Sequence, residues 1–270
     1  MSSSNPSSKF TMPSPSSRSN SIYLLQAREL VANGMPVAVV TVVRGNNPGA
    51  KLLVTSTDAE GTLGSSELDE LTIVEARIAL TTGSSGVVNL IPEVDAFIDV
   101  FSPPPLLILI GAVHVAQAVV TYAQPLGFRI VVVDAREALA TRDRFPTVDD
   151  LLVAWPNEAY SRLPIASTSA IVILTHDPKF DEPAILGALE TDAGYIGAVG
   201  SRKTNEERRD RLLATGAKPE QLDRVHGPIG LNIGGKSPEE MAISILAEVI
   251  AVRNNRSGES LRASSGRIRA

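Results

Sequence analysis

The chain has 270 residues, of which 43% are hydrophobic and 20% are charged, a composition typical of a globular protein with room for two domains. Its formal net charge of −5 argues against nucleic acid and anionic membranes as partners, because both attract basic surfaces. It contains no cysteine, which excludes disulfides, thiolate metal sites and a cysteine nucleophile. The three histidines lie far apart, so we expect no metal site. No signal-like or membrane-spanning apolar segment is evident, so we expect a cytoplasmic protein.

Two polar segments frame the predicted domains. Residues 1–20 are rich in Ser, Pro and Asn, and residues 256–270 are rich in Ser, Gly and Arg, so both are predicted to be disordered tails. An organelle-targeting role of the first tail is left open. Residues 21–102 predict a small α+β domain. Its predicted elements are helices at 23–31 and 68–80 and strands at 37–43, 52–55 and 95–101.

Residues 103–255 predict a Rossmann-like domain, in which strands and helices alternate around a doubly wound parallel sheet. The run Leu106–Ile110 is continuously apolar, as a buried parallel strand requires. Such sheets bind ligands at the carboxyl ends of their strands, so the residues that follow each strand are candidates for the site. The other predicted strands are 129–133, 170–174 and 195–199, and the predicted helices are 115–123, 182–189, 205–213 and 238–252.

The first turn of this domain has the layout of a dinucleotide-binding fingerprint. Gly111 opens the turn, His114 closes it, and Asp134 stands at the end of the next strand, where such proteins bind a ribose. The second glycine of the fingerprint is replaced by Val113, whose branched side chain would stand where a pyrophosphate needs room. The turn therefore indicates a Rossmann fold and disfavours NAD(P), and it leaves open whether Asp134 contacts a ligand.

A polar triplet, Thr175-His176-Asp177, follows the third predicted strand of the domain. Its position at a carboxyl end of the sheet favours a functional role. His176 could donate to a phosphate or a carbonyl, or act as an acid or base. The alternative is a loop-capping network, since Asp177 before a proline is a good turn former.

A second candidate segment contains Gly197, Gly200, Ser201 and Arg202, which lie between the fourth strand and a helix. A helix start presents unpaired amides and the positive end of the helix dipole, and both attract anions. The two glycines and Arg202 therefore favour an anion site. A helix that is simply capped by Ser201 is the alternative.

A third candidate segment is the glycine-rich loop 230–235, which also precedes a helix. Residues 230–237 match the spacing of a P-loop. Such a loop follows a buried apolar strand, and the sequence predicts none here, so we do not expect nucleotide hydrolysis at Lys236. Ser237 and Glu240 instead predict a capping box at the helix start, and an oxyanion site in the loop remains open.

Together these segments resemble the XdhC/CoxI family of accessory proteins for molybdenum hydroxylases such as xanthine dehydrogenase. The resemblance covers about residues 35–253. It is close in the second domain, at residues 107–116, 126–136, 144–146, 175–177, 195–197, 200–202, 228–234 and 238–244. It is looser in the first domain, at residues 34–38, 48–51 and 61–64. There the family's triple glycine is reduced to Gly64 followed by two serines, and its Cys-Gly-Gly segment is missing.

The resemblance implies a maturation factor rather than an enzyme, with no catalytic residue. Such proteins bind the molybdenum cofactor, molybdopterin, protect it during sulfuration and deliver it to an apo molybdenum hydroxylase. The implied sulfur donor is a cysteine desulfurase, because this chain has no cysteine to carry a persulfide. A homodimer is left open, and an NAD(P)-dependent oxidoreductase is the alternative function. The implied cofactor-binding residues are Gly111, His114, Asp134, Arg136, Thr175, His176, Asp177, Gly197, Gly200, Ser201, Arg202, Gly230, Asn232 and Gly234.

Overall fold

The computed structural model describes residues 15–263, with residues 15–21 described by their backbone alone. The chain divides into two compact units between Pro103 and Pro104, within a run of three prolines. Proline lacks an amide donor, so this run can offer a sheet only carbonyl acceptors, as Pro105 does by accepting from the Arg129 amide at 3.0 Å. Within the described residues, no helix is both long and apolar enough to cross a membrane.

The first unit is an antiparallel sheet with one helix on each face. Its elements are α1 (Pro15–Ala32), β1 (Val37–Arg44), β2 (Lys51–Val54), β3 (Ala59–Thr62), α2 (Ser66–Thr82), β4 (Gly86–Ile91) and β5 (Val94–Phe101). The strand order is β3-β2-β1-β5-β4. Alternate residues of a strand face opposite sides, so Val39 of β1 packs with Ala27 of α1 and Val40 packs with Ala76 of α2. Because both faces are covered, the central strand β1 is apolar at most positions.

The second unit is a parallel six-stranded sheet covered by helices. Its elements are β6 (Leu106–Ile110), α3 (His114–Ala123), a 3-10 turn (Gln124–Leu126), β7 (Arg129–Val133), β8 (Asp150–Leu152), α4 (Pro156–Tyr160), β9 (Ala170–Ile173), α5 (Pro178–Leu189), β10 (Tyr195–Ala198), α6 (Arg202–Ala214), α7 (Pro219–Leu222), β11 (Val225–His226) and α8 (Pro238–Arg253). The strand order is β11-β10-β9-β6-β7-β8, with every pair parallel. The chain reverses its direction of winding between β6 and β9, which is where such sheets bind ligands.

Two apolar layers enclose this sheet. Leu107 and Leu109 of β6 face α3 and α8, whereas Ile108 and Ile110 face the layer that includes Ile185 of α5. Every residue of β6 is buried, which explains its continuous apolar sequence. The predicted fold, a small α+β domain followed by a doubly wound parallel sheet, is confirmed.

The sequence prediction missed elements that are short or lie at sheet edges, namely β3, β4, β8, β11, α4 and α7. The residues of β3 are all exposed, and β8 has only three residues, so neither shows an apolar pattern. The helix predicted at 23–31 begins at Pro15, so residues 15–20 belong to α1 rather than to a tail. Residues 1–14 and 264–270 of the predicted tails lie outside the described residues.

Candidate functional site

The carboxylate of Asp134 follows β7 and is buried, with 4% of the residue exposed. One oxygen accepts from the Ala112 amide at 2.8 Å and from Nη2 of Arg136 at 2.7 Å. The other accepts from the amide and Nε of Arg136 at 3.0 and 2.8 Å. Burial opposes ionisation, yet the four hydrogen bonds lower the pKa of Asp134 below its ordinary value. An ionised carboxylate has about four acceptor positions, so none remains for a ribose hydroxyl.

The turn after β6 packs closely against the end of β9. Gly111 has φ +107°, and a Cβ there would lie 2.7 Å from Cγ2 of Thr175, so glycine is required. The side chain of Val113, predicted to obstruct a phosphate, is half-buried against the layer of α3 and α8 instead. His114 is exposed and lines a separate cavity of about 450 Å³ beside Pro238. The structural argument against a dinucleotide therefore rests on Asp134 rather than on Val113.

The three residues of the Thr175-His176-Asp177 segment have separate environments. The buried hydroxyl of Thr175 donates to the Asp181 carboxylate. Asp177 caps α5, and its carboxylate accepts from the Lys179 amide at 3.0 Å. His176 is exposed and makes no hydrogen bond with the described residues. The structure thus supports the capping alternative for Asp177, and His176 is the exposed member that has no hydrogen bond among the described residues, although it interacts electrostatically with Asp181.

A buried polar network that the sequence did not predict supports the start of α6. Nη2 of Arg208 donates to Asp181 at 2.9 Å, and both side chains are at most 4% exposed. Nη1 of Arg208 donates to Oδ1 of Asn205 at 2.7 Å. Nδ2 of Asn205 in turn donates to the carbonyl oxygens of Gly200 and Ser201 at 3.2 and 3.0 Å. The network therefore fixes the turn that leads into α6.

The start of α6 is capped by a side chain and has a free cation. Oγ of Ser201 accepts from the Thr204 amide at 3.1 Å, which confirms the predicted cap. A Cβ at Gly197 would lie 2.6 Å from the Tyr195 hydroxyl, so that glycine provides room for packing. Arg202 is exposed and forms no hydrogen bond or ion pair with any residue that the structure describes. Its side chain lines two cavities, of about 340 and 390 Å³.

The start of α8 is occupied by a carboxylate of its own helix. Oε2 of Glu240 accepts from the amides of Lys236 and Ser237 at 2.7 and 3.1 Å, and Oγ of Ser237 accepts from the Glu240 amide at 3.2 Å. The predicted capping box is confirmed. The two amides lower the pKa of Glu240. An external anion at this helix start would have to displace Glu240.

The loop before α8 keeps some of its amides free. The Gly230 amide donates to Glu248 at 2.8 Å. Within the described part of the chain, the amides of Asn232, Gly234 and Gly235 make no hydrogen bond. All four residues line the 390 Å³ cavity together with Arg202. The lining of this cavity therefore includes an arginine and three residues whose amides are unpaired among the described residues.

A second unpredicted cluster anchors this loop to the sheet. Oε2 of Glu248 in α8 also accepts from the Tyr195 hydroxyl, and Oε1 lies 3.6 Å from Nδ1 of His226. The rings of Tyr195 and His226 stack with centroids 4.7 Å apart. Burial opposes ionisation of Glu248, yet contacts with His226, Tyr195 and the Gly230 amide lower its pKa. Burial raises the pKa of Tyr195, and the bond to Glu248 adds to this.

The structure separates the predicted residues into groups. Gly111 contacts Thr175, and Asp134 binds Arg136, near the carboxyl ends of the central strands. The members that line the 390 Å³ cavity are Arg202, Gly230, Asn232 and Gly234. No cluster of three or more His, Cys, Asp or Glu that could hold a metal ion occurs among residues 15–263.

Two family models match the chain. The XdhC Rossmann domain matches residues 107–249, and the XdhC and CoxI family matches residues 30–90. A solved structure from Bacillus halodurans, described as a xanthine dehydrogenase, is 26% identical with a TM-score of 0.66. The match covers 90% of this chain and 70% of that one.

Three curated proteins are similar in sequence. YqeB of Escherichia coli (strain K12) is 30% identical over 86% of this chain and 46% of its own length. A probable xanthine dehydrogenase subunit of Bacillus subtilis (strain 168) is 34% identical over 58% of this chain and 46% of its own. The "Molybdenum cofactor insertion chaperone PaoD" of E. coli is 30% identical over 36% of this chain and 30% of its own. The chain thus spans less than half the length of these relatives.

Proposed function

The chain belongs to the XdhC and CoxI family, and from that premise we propose that it binds the molybdenum cofactor and delivers it to a molybdenum hydroxylase. The names of two relatives support this role, since one is a molybdenum cofactor insertion chaperone and the other is a probable component of a xanthine dehydrogenase. The cofactor is cargo in this proposal, and the chain itself performs no catalytic step.

The observation that carries the proposal is the 390 Å³ cavity, because it fits the phosphate of the cofactor. Arg202 supplies a guanidinium that no described residue pairs with, and Asn232, Gly234 and Gly235 supply free amides. A guanidinium and several amides are the usual ligands of a phosphate. Gly200 and Ser201 form the turn into α6, of which Arg202 is the first residue. Gly230 shapes the loop but offers no amide to the phosphate, because its amide already donates to Glu248.

The metal of the cargo has no ligand set in the described part of this chain, and the sequence contains no cysteine. In our proposal the dithiolene of the cofactor keeps the metal, and the protein recognises the organic part. A persulfide cannot form on this chain, so the sulfur comes from a separate donor, a cysteine desulfurase. His114, Arg136 and His176 remain predicted contacts of the cargo, and a homodimer remains a prediction.

An NAD(P)-dependent oxidoreductase is disfavoured by the environment of Asp134. Its carboxylate is filled by four internal hydrogen bonds, so it cannot hold a ribose without releasing Arg136 and the first turn. Calorimetry should show no micromolar binding of NAD(H) or NADP(H). Val113→Gly should not create such binding, because the substitution leaves Asp134 engaged.

The test of the proposal compares cofactor retention by the wild type, Arg202→Ala and Lys203→Ala after anoxic purification. A charge-assisted hydrogen bond contributes roughly 1.5–3 kcal/mol, so Arg202→Ala should weaken binding about ten- to a hundredfold. Lys203 is the matched control, because it is the next residue, its side chain is 85% exposed and it lines neither cavity. Circular dichroism checks the fold of each variant. Equal retention by all three proteins would remove Arg202 from the site.

A further inference from the structure

The second cavity beside Arg202 lies between α5, α6, α7 and β11 and measures about 340 Å³. Its walls are partly apolar, formed by Ile185, Leu212, Leu222, Val225 and Pro228. Its polar lining comes from α6, through Arg202, Asn205, Glu206, Arg208 and Arg209. It shares Arg202 and Pro228 with the 390 Å³ cavity, so the two cavities flank the same pair of residues.

Most polar groups of this second cavity are already engaged within the protein. Arg208 binds Asp181 and Asn205, and Arg209 binds Asp223 at 2.7 Å. Glu206 is different, because its carboxylate forms no hydrogen bond or ion pair with the described residues. The cavity therefore offers apolar walls, one free carboxylate from Glu206 and one free guanidinium from Arg202.

This combination fits a particular ring chemistry. The 2-amino-4-oxo edge of a pterin presents an amino group and a ring N–H side by side, and a carboxylate can accept both in a bidentate pair. Apolar walls suit the faces of such a flat ring. We propose that this cavity binds the pterin ring of the cofactor through Glu206, while the phosphate occupies the adjoining cavity on the other side of Arg202. This inference rests on the proposed function and adds a subsite to it.

The test uses unsubstituted pterin, because this molecule carries neither phosphate nor metal. Its own fluorescence reports binding. The wild type should bind it, and Glu206→Gln should weaken binding about tenfold or more, because the amide turns one acceptor into a donor that opposes the ring. Glu207→Gln is the matched control, since Glu207 is adjacent, pairs with Lys203 at 3.8 Å and is not among the residues that line the cavity. It should bind pterin as the wild type does.

A second measurement distinguishes binding of the pterin ring from binding of the phosphate. Inorganic phosphate, followed through the amide NMR signals of Asn232, Gly234 and Gly235, should bind equally to the wild type and Glu206→Gln. Equal pterin affinity of the wild type and Glu206→Gln, or no pterin binding to the wild type at millimolar concentration, would overturn the inference. Cofactor retention that is unchanged in Glu206→Gln would also overturn it and leave the proposed function standing. A wild type that retains no cofactor yet shows the expected pterin pattern would contradict the proposed function and leave Glu206 as part of a site for pterin rings only.

Discussion

The starts of α6 and α8 both follow glycine-containing loops, and each has a serine at its N-cap. Oγ of Ser201 accepts the amide of Thr204, and Oγ of Ser237 accepts the amide of Glu240, so the third residue of each helix has the same role. At α8 that residue is a glutamate, whose carboxylate returns to the amides before the helix. At α6 it is a threonine, and the first turn contains no acid. The amides at the start of α8 are therefore occupied by a carboxylate of the same helix. The start of α6 has no such carboxylate in its first turn, and its Arg202 is unpaired among the described residues.

The difference shows that a glycine-rich loop before a helix is not sufficient evidence for an anion site. The acids of the first turn compete for the same amides, because they are covalently close and already negative. A helix start that lacks such an acid needs another support for its turn. At α6 the buried pair of Asp181 and Arg208 gives that support, because Arg208 also donates to Asn205, which binds the turn.

The largest effect should follow from breaking the support of α6. Arg208→Met leaves the buried Asp181 without its ion-pair partner, and removing one partner of such a pair costs about 3–5 kcal/mol. Urea denaturation should show this loss in the free energy of unfolding. The double variant Asp181→Leu/Arg208→Met should lose less, because it removes both charges. A loss below about 1 kcal/mol in Arg208→Met would mean that this pair does not support the α6 start.

A smaller effect should follow from removing the cap of α8. Ser237→Ala leaves the Glu240 amide without its acceptor, which costs about 0.5–2 kcal/mol in typical helices. The same denaturation experiment measures it, with Ser257→Ala, outside the helix, as the control. If Ser237→Ala cost as much as Arg208→Met, the contrast between a self-capped start and a network-supported start would fail.

The stability contributed by Glu240 should depend on pH. The pKa of Glu240 is lowered in the folded state, so its contribution is present above the ordinary glutamate pKa of about 4.3 and is lost as the pH falls through the lower folded value. The wild type should therefore exceed Glu240→Gln in stability at neutral pH, and the difference should shrink at acidic pH. Urea midpoints of both proteins across that range provide the test. A difference that is independent of pH would show that the Glu240 charge does not occupy the helix start.

The smallest effect is expected at Lys236, where a substitution should leave nucleotide hydrolysis unchanged. The structure places a strand, β11, before the loop where the sequence predicted none, but it has only two half-buried residues at the sheet edge. The Lys236 amide is bound to Glu240, so it is not available to cradle a nucleotide phosphate. Neither the wild type nor Lys236→Ala should hydrolyse ATP or GTP. A steady rate that Lys236→Ala abolishes would show that the loop is a P-loop after all.

The central sheet could be predicted from sequence because burial on both faces leaves a continuous apolar run, as in β6 and β9. Edge strands carry no such pattern, because the residues of β3 are all exposed and the two residues of β11 are only half-buried. Both serine caps were also predictable, since N-cap chemistry is local.

The parts of the site that depend on distant pairs could not be predicted. Asp181 and Arg208 lie 27 residues apart on different helices, and Tyr195 and Glu248 lie 53 apart. Neither spacing has a local signature. Asp134 was located correctly at the end of β7, but only the structure shows that Arg136 and the Ala112 amide fill its carboxylate.

Mass analysis of the small molecule that remains bound to the wild-type protein after anoxic purification tests the central claim most directly. The open α6 start and its two cavities predict a phosphorylated pterin that carries molybdenum, and its amount should fall in Arg202→Ala. A bound NAD(P), a different nucleotide, or a protein that carries no small molecule at all would contradict the claim.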